Sequence, residues 1–237
     1  MRILVLQHIS CEPPGVYEDI LVEKGASIHR VEIDEGQQLP DWQGFDAIIA
    51  MGGPMSVNDD ATLPWLNAEK RWVKEAVLAG QPYWGVCLGV QLLAASLEAR
   101  VYPGPKPEVG IMPVFLTRAA HDDPVFSGLP HELVTFQWHG ETFELPDGAV
   151  LLATSPAYPN QAFRWGKKAY GIQFHVEISA DLVKQWSQVP AYRLALERVL
   201  GVDAASKLLD DVSREEKALH SYARSMFENW LDACAVT

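Results

Sequence analysis

A chain of 237 residues, 48% of them hydrophobic, is long enough to bury a full core as one domain. Its formal charge of −12 repels phosphodiester backbones and anionic bilayers, which argues against nucleic acid and membrane surfaces as partners. No apolar run approaches the roughly 18 residues that cross a bilayer, and the start, Met1-Arg2-Ile3-Leu4-Val5-Leu6-Gln7, lacks the cleavage site of a signal peptide.

In chain order, residues 2–7 and 28–33 read as strands flanking a helix over 16–24. A further strand follows at 45–51, a helix at 63–78, a buried strand at 83–86 and a helix at 90–97. This βαβ rhythm predicts an α/β fold, a largely parallel central sheet with helices on both faces and its site at the carboxyl ends of the strands. From 101 to 174 the segments near 111–117, 133–138, 149–154 and 161–165 are short and punctuated by Pro, Gly and Asp, which predicts an antiparallel extension of the sheet. From about 179 the chain reads as helical. Ser213-Arg214-Glu215-Glu216 has the form of a capping box opening a last amphipathic helix through Tyr222, Met226, Phe227 and Trp230, whose apolar face is expected to pack on its own domain.

The chemistry gathers at strand ends. Cys87 lies in Trp84-Gly85-Val86-Cys87-Leu88-Gly89-Val90-Gln91, at the joint of a strand and a helix, and glycines on both sides permit the close packing that a nucleophile elbow needs. The helix N-terminus favours negative charge on the sulfur. Downstream, in Tyr170-Gly171-Ile172-Gln173-Phe174-His175-Val176-Glu177, strand periodicity puts His175 and Glu177 on one face, where an imidazole can move a thiol's proton and a carboxylate can orient the imidazole. The strand ending Met51-Gly52-Gly53-Pro54 leaves backbone exposed. A peptide N–H there and that of Leu88 would make a two-donor oxyanion hole.

Three cysteines, Cys11, Cys87 and Cys234, are odd in number and form no Cys-x-x-Cys pair. Neither a disulfide framework nor a thiolate zinc site is expected, and a free thiol suits a reducing cytoplasm. Cys11 and Cys234 have no neighbouring base or glycine bracket and read as structural. His8 and His139 do not stand at metal-binding spacings, so no metal is expected.

Together the Gly-Gly-Pro strand end, the Gly-x-Cys-x-Gly-x-Gln elbow and the Gly-x-Gln-Phe-His-x-Glu strand resemble the class I (triad) glutamine amidotransferases. Gln91-Leu92-Leu93-Ala94, Glu108-Val109-Gly110 and Phe136-Gln137-Trp138-His139-Gly140 resemble the stand-alone members similar to the amidotransferase domain of GMP synthetase. One departure is Val176, where a proline is usual. The resemblance implies a flavodoxin-like fold, Cys87 as nucleophile, His175 as base and acid, Glu177 as orienting carboxylate, and Gly53 and Leu88 as oxyanion donors. It also implies glutamine binding by Gly52, Gln91 and backbone near Trp138 and Gly140, with no cofactor. The expected activity is glutamine hydrolysis through a γ-glutamyl thioester. No ATP-binding motif is present, so a separate synthetase subunit would be needed for amidotransfer. Two alternatives stand beside this: a γ-glutamyl peptidase using the same triad, and a non-catalytic regulatory domain on the same fold.

Overall fold

The computed structural model describes residues 1–235. Among the described residues nine strands form one sheet: β1 (Arg2–Gln7), β2 (Ser27–Glu32), β3 (Ala47–Ala50), β4 (Tyr83–Val86), β5 (Val101–Leu116), β6 (Glu132–Phe143), β7 (Val150–Thr154), β8 (Ala162–Trp165) and β9 (Ala169–Ile172). Their order is β2-β1-β3-β4-β9-β8-β7-β5-β6. The first five run parallel and the remaining pairings are antiparallel, as the change of pattern after residue 101 predicts.

Strand alternation divides the core. Ile3, Val5, Ile49 and Trp84 face one side, where they meet α1 (Val16–Glu23) and α7 (Ala205–Ala235) through Tyr17, Phe227 and Trp230. Leu4, Leu6, Ile48 and Tyr83 face the other, where α2 (Trp65–Leu78) and α3 (Leu88–Ser96) supply Leu66, Val73 and Val90. Two buried faces explain the unbroken apolar runs of β1 and β3, which show no polar-out alternation.

The short α4 (Arg118–His121) follows β5, and α5 (Ala180–Trp186) and α6 (Pro190–Leu200) precede α7. The last helix begins eight residues before the expected capping box. Ser213 sits on an exposed turn inside it, and Glu216 instead accepts the backbone N–H of Ala180 at 2.9 Å, capping the start of α5. A local pattern fits a cap, but the apolar residues Leu208 and Val212, buried upstream of it, carry the helix through. Among the described residues no helix is long and apolar enough to cross a membrane.

Candidate active site

β1, β3, β4 and β9 are adjacent and parallel, so the segments after their carboxyl ends converge. At the end of β4, Cys87 adopts φ 54° and ψ −104°, a positive-φ conformation strained for any residue with a Cβ. The neighbouring glycines are a steric necessity. A Cβ on Gly85 would stand 2.5 Å from the Gly89 carbonyl oxygen, and one on Gly89 would collide with the Ala50 carbonyl of β3. Tyr83 of β4 donates its hydroxyl to the Gly89 carbonyl at 2.9 Å, fixing the first turn of α3. Leu88 is the first residue of that helix, a position whose N–H has no acceptor within the helix.

β9 ends at Ile172, before His175, which instead makes an isolated antiparallel bridge with Phe136 of β6. The expected continuous strand is therefore replaced by a crossing, held by His175 N–H to Phe136 O at 2.8 Å and its reciprocal at 3.0 Å. His175 and Glu177 still meet: Nδ1 donates to Glu177 Oε1 at 2.7 Å, leaving Nε2 for Cys87. Burial disfavours the imidazolium, but the Glu177 charge and hydrogen bonds to Cys87 and Glu177 override it. His175 consequently holds its proton well above the ordinary histidine range. Glu177 Oε2 accepts the Val176 N–H at 2.9 Å, a bond that a proline at 176 would lack.

The cleft above Cys87 has a volume of about 220 Å³ and is lined by Gly53, Gln91, Trp138, Gly140, Glu141 and Tyr192 among others. Three expected substrate contacts, Gln91, Trp138 and Gly140, and the expected oxyanion donor Gly53 thus share one cavity with the thiol. Gly52 stands behind it, where an added Cβ would meet the Glu12 carboxylate and the Cys87 Cβ. Gln91 donates to Gln173 at 3.0 Å, and the indole N–H of Trp138 is buried without a hydrogen-bond partner among the described residues.

Several neighbours carry no sequence signal. His8 bridges the Met51 carbonyl (2.9 Å) and Glu69 (3.0 Å), bracing the strand end before Gly52. Burial opposes charge on His8 and Glu69 outweighs it, so its pKa is raised. Gly15, at φ 56°, lies so close to the Glu177 carbonyl that a side chain there would collide. Glu12 accepts the Tyr192 hydroxyl. The two side-chain pairs, His8 with Glu69 and Tyr192 with Glu12, join residues 61 and 180 positions apart, and no local pattern announces them. Among the described residues, no group of three or more His, Cys, Asp or Glu forms a candidate metal site. Burial pushes the Cys11 thiol up to about 11 and Cys234 to about 12, which keeps both protonated near neutral pH.

Fold and site define an α/β protein in which the Cys87 thiol is presented at a strand-to-helix elbow beside a buried His–Glu pair. Similarity to known proteins agrees. Residues 17–185 match the glutamine amidotransferase class-I model. The chain is 31% identical over 199 residues to the glutamine amidotransferase-like protein YfeJ of Salmonella typhimurium, covering 82% of this chain and 83% of that one. It is 32% identical over 142 residues to one of the subunits of the glutamine-hydrolyzing GMP synthase of Ignicoccus hospitalis, over 59% of this chain and 70% of that one. A crystal structure of a glutamine amidotransferase from Thermotoga maritima superposes with a TM-score of 0.88 at 35% identity, covering 98% of each chain. This chain belongs to the class I glutamine amidotransferase family.

Proposed function

We propose that this protein is a cysteine-dependent glutamine amidohydrolase, in which Cys87 attacks the γ-amide and ammonia leaves. Water then cleaves the γ-glutamyl thioester to glutamate. The observation that carries this reading is a thiol on a positive-φ elbow beside an imidazole whose other nitrogen is bound at 2.7 Å to a buried carboxylate.

In this reading His175 Nε2 takes the thiol proton, and the Glu177 carboxylate stabilises the imidazolium that results. Retention of a proton by His175 above its usual range suits a thiolate–imidazolium pair. The tetrahedral oxyanion accepts from the N–H groups of Gly53 and Leu88. His175 then protonates the departing nitrogen, and in the second half-reaction takes a proton from the attacking water as the thiolate is expelled. Gln91 and the Trp138–Gly140 backbone hold the amino-acid head. Beside them the half-buried carboxylate of Glu141 supplies a charge that suits an α-ammonium group. The chemistry calls for no cofactor or metal.

A cleft of about 220 Å³ lies below the roughly 300–1,000 Å³ of pockets for drug-sized ligands, which favours glutamine over a bulky γ-glutamyl conjugate. Ammonia would pass to a separate synthetase, in keeping with the name of the Ignicoccus relative.

The test is to follow ammonia and glutamate release from glutamine, together with the mass adduct of an electrophilic glutamine analogue at Cys87. Cys87→Ala should abolish both while circular dichroism is unchanged, and Cys11→Ala and Cys234→Ala should retain them. Retained turnover in Cys87→Ala overturns the nucleophile. Higher efficiency on γ-glutamyl dipeptides turns the reading to a peptidase. No reaction with either class, even with cell extract to supply a partner, leaves a non-catalytic domain.

A further inference from the structure

The leaving nitrogen must receive its proton from His175, so it departs on the imidazole side of the cleft. Aromatics pack on that side. The Trp186 ring packs edge-on against His175 at 4.9 Å between centroids, and Tyr192 of α6 packs on Trp186 at 5.9 Å and Trp138 at 5.5 Å. Tyr192 lines the cleft with Cys87, as do Ala191 and Ala195 from the same helix.

Two hydrogen bonds fix this wall. The Trp186 indole N–H donates to the Cys11 carbonyl at 2.8 Å, and the Tyr192 hydroxyl donates to Glu12 Oε1. Glu12 is 1% exposed, and its other oxygen is wedged against Gly52, where a Cβ would collide with it. Burial, reinforced by the charge of Glu177, raises the Glu12 pKa; protonated or ionised, its Oε1 can accept the phenol. Swinging Tyr192 away would leave a buried carboxyl without its donor. Residues 12 and 192 both lie outside the segment 17–185 that matches the family model, so the family match does not define this wall.

We propose that Tyr192, held in place by Glu12, is the leaving-group wall of the cleft, and that it restricts the reaction to amides whose leaving amine is as small as ammonia. The proposal rests on the amidohydrolase reading. It makes Tyr192 a specificity-determining residue and Glu12 a positioning residue.

The test is the ratio of kcat/KM for γ-glutamylalanine to that for glutamine. Tyr192→Ala should raise this ratio by about tenfold or more, the scale at which pocket volume discriminates substrates. Glu12→Ala should raise it in the same direction, and Tyr192→Phe, which keeps the ring but not its hydroxyl, less. The double variant Glu12→Ala/Tyr192→Ala should gain little over Tyr192→Ala, because both act on one wall. A purely structural role would lower both substrates together and leave the ratio unchanged. Should Tyr192→Ala not fold, Tyr192→Leu and the opposite change, Ala195→Leu, carry the test: the first should raise the ratio and the second lower it. Glutamine hydrolysis by the wild type with an unchanged ratio in the folded variants overturns the wall alone. Equal use of both substrates by the wild type also overturns it. Absence of both hydrolysis and the Cys87 adduct in the wild type overturns the amidohydrolase reading, and this proposal with it.

Discussion

At the scale of single residues, the site holds a strained backbone and a short chain of charge. Cys87 at φ 54° and ψ −104° occupies a sparsely populated region that costs a residue bearing a Cβ about 1–3 kcal/mol. Cys87→Gly should therefore melt at a higher temperature than Cys87→Ala, by the equivalent of about 1 kcal/mol, with both inactive. Differential scanning calorimetry of the two variants decides it, and equal melting temperatures would count against strain at the elbow. Val176 makes a separate contribution: its N–H is one of the two donors that orient the Glu177 carboxylate. Val176→Pro removes that donor without touching the cleft, so kcat for glutamine should fall by about tenfold or less while KM is kept. A rise in KM with kcat unchanged would place the effect on the substrate instead.

At the scale of elements, the helices beyond the parallel sheet are tied to the site by side chains that cross long stretches of chain. Glu216 of α7 accepts the Ala180 N–H at the start of α5, and α5 ends in Trp186 against His175. Glu216→Ala should cost about 1 kcal/mol, the usual value of a lost helix cap, read as a lower urea midpoint with unchanged slope. Ser213→Ala should be nearly silent, since Ser213 is exposed inside α7 and caps nothing. If Ser213→Ala proved the more damaging, a helix start at that position would have to be reinstated. The glycines act at this scale too. Gly89 and Gly171 let α3 lie directly on β3 and β9, because a Cβ on Gly89 would meet Ala50 and one on Gly171 would meet Val90. That contact brings Cys87 and the segment after β9 within reach of each other.

At the scale of the whole molecule, three buried groups link stability to pH in one direction. His8, His175 and Glu12 all bind protons more tightly folded than their ordinary values of 6.5, 6.5 and 4.5 imply. A raised folded-state pKa contributes stability that is fully present below the unfolded value and lost as pH rises through the folded one. Stability against urea should thus fall over the interval in which pH rises above the ordinary histidine value of 6.5, and His8→Gln should reduce the slope. A midpoint that rises over this interval would contradict the charged His8–Glu69 pair. Legibility in the sequence follows the range of the interactions. Residues 2–7 and 83–86, the Cys87 elbow and the glycines beside it are readable because each depends on neighbours a few positions away, through apolar runs or steric room for a turn. The His175–Glu177 contact is readable for the same reason, although its strand is not: β9 ends early because pairing with Phe136 captures His175. The start of α7 falls upstream of the capping pattern because burial against the sheet, a tertiary effect, outweighs a local signal. What only the folded chain decides is the surround of the thiol, namely His8 on Glu69, Gly15 against Glu177, and Tyr192 on Glu12. These contacts depend on strand order and helix placement, which bring distant residues together after the local elements have formed and leave no periodicity in the chain.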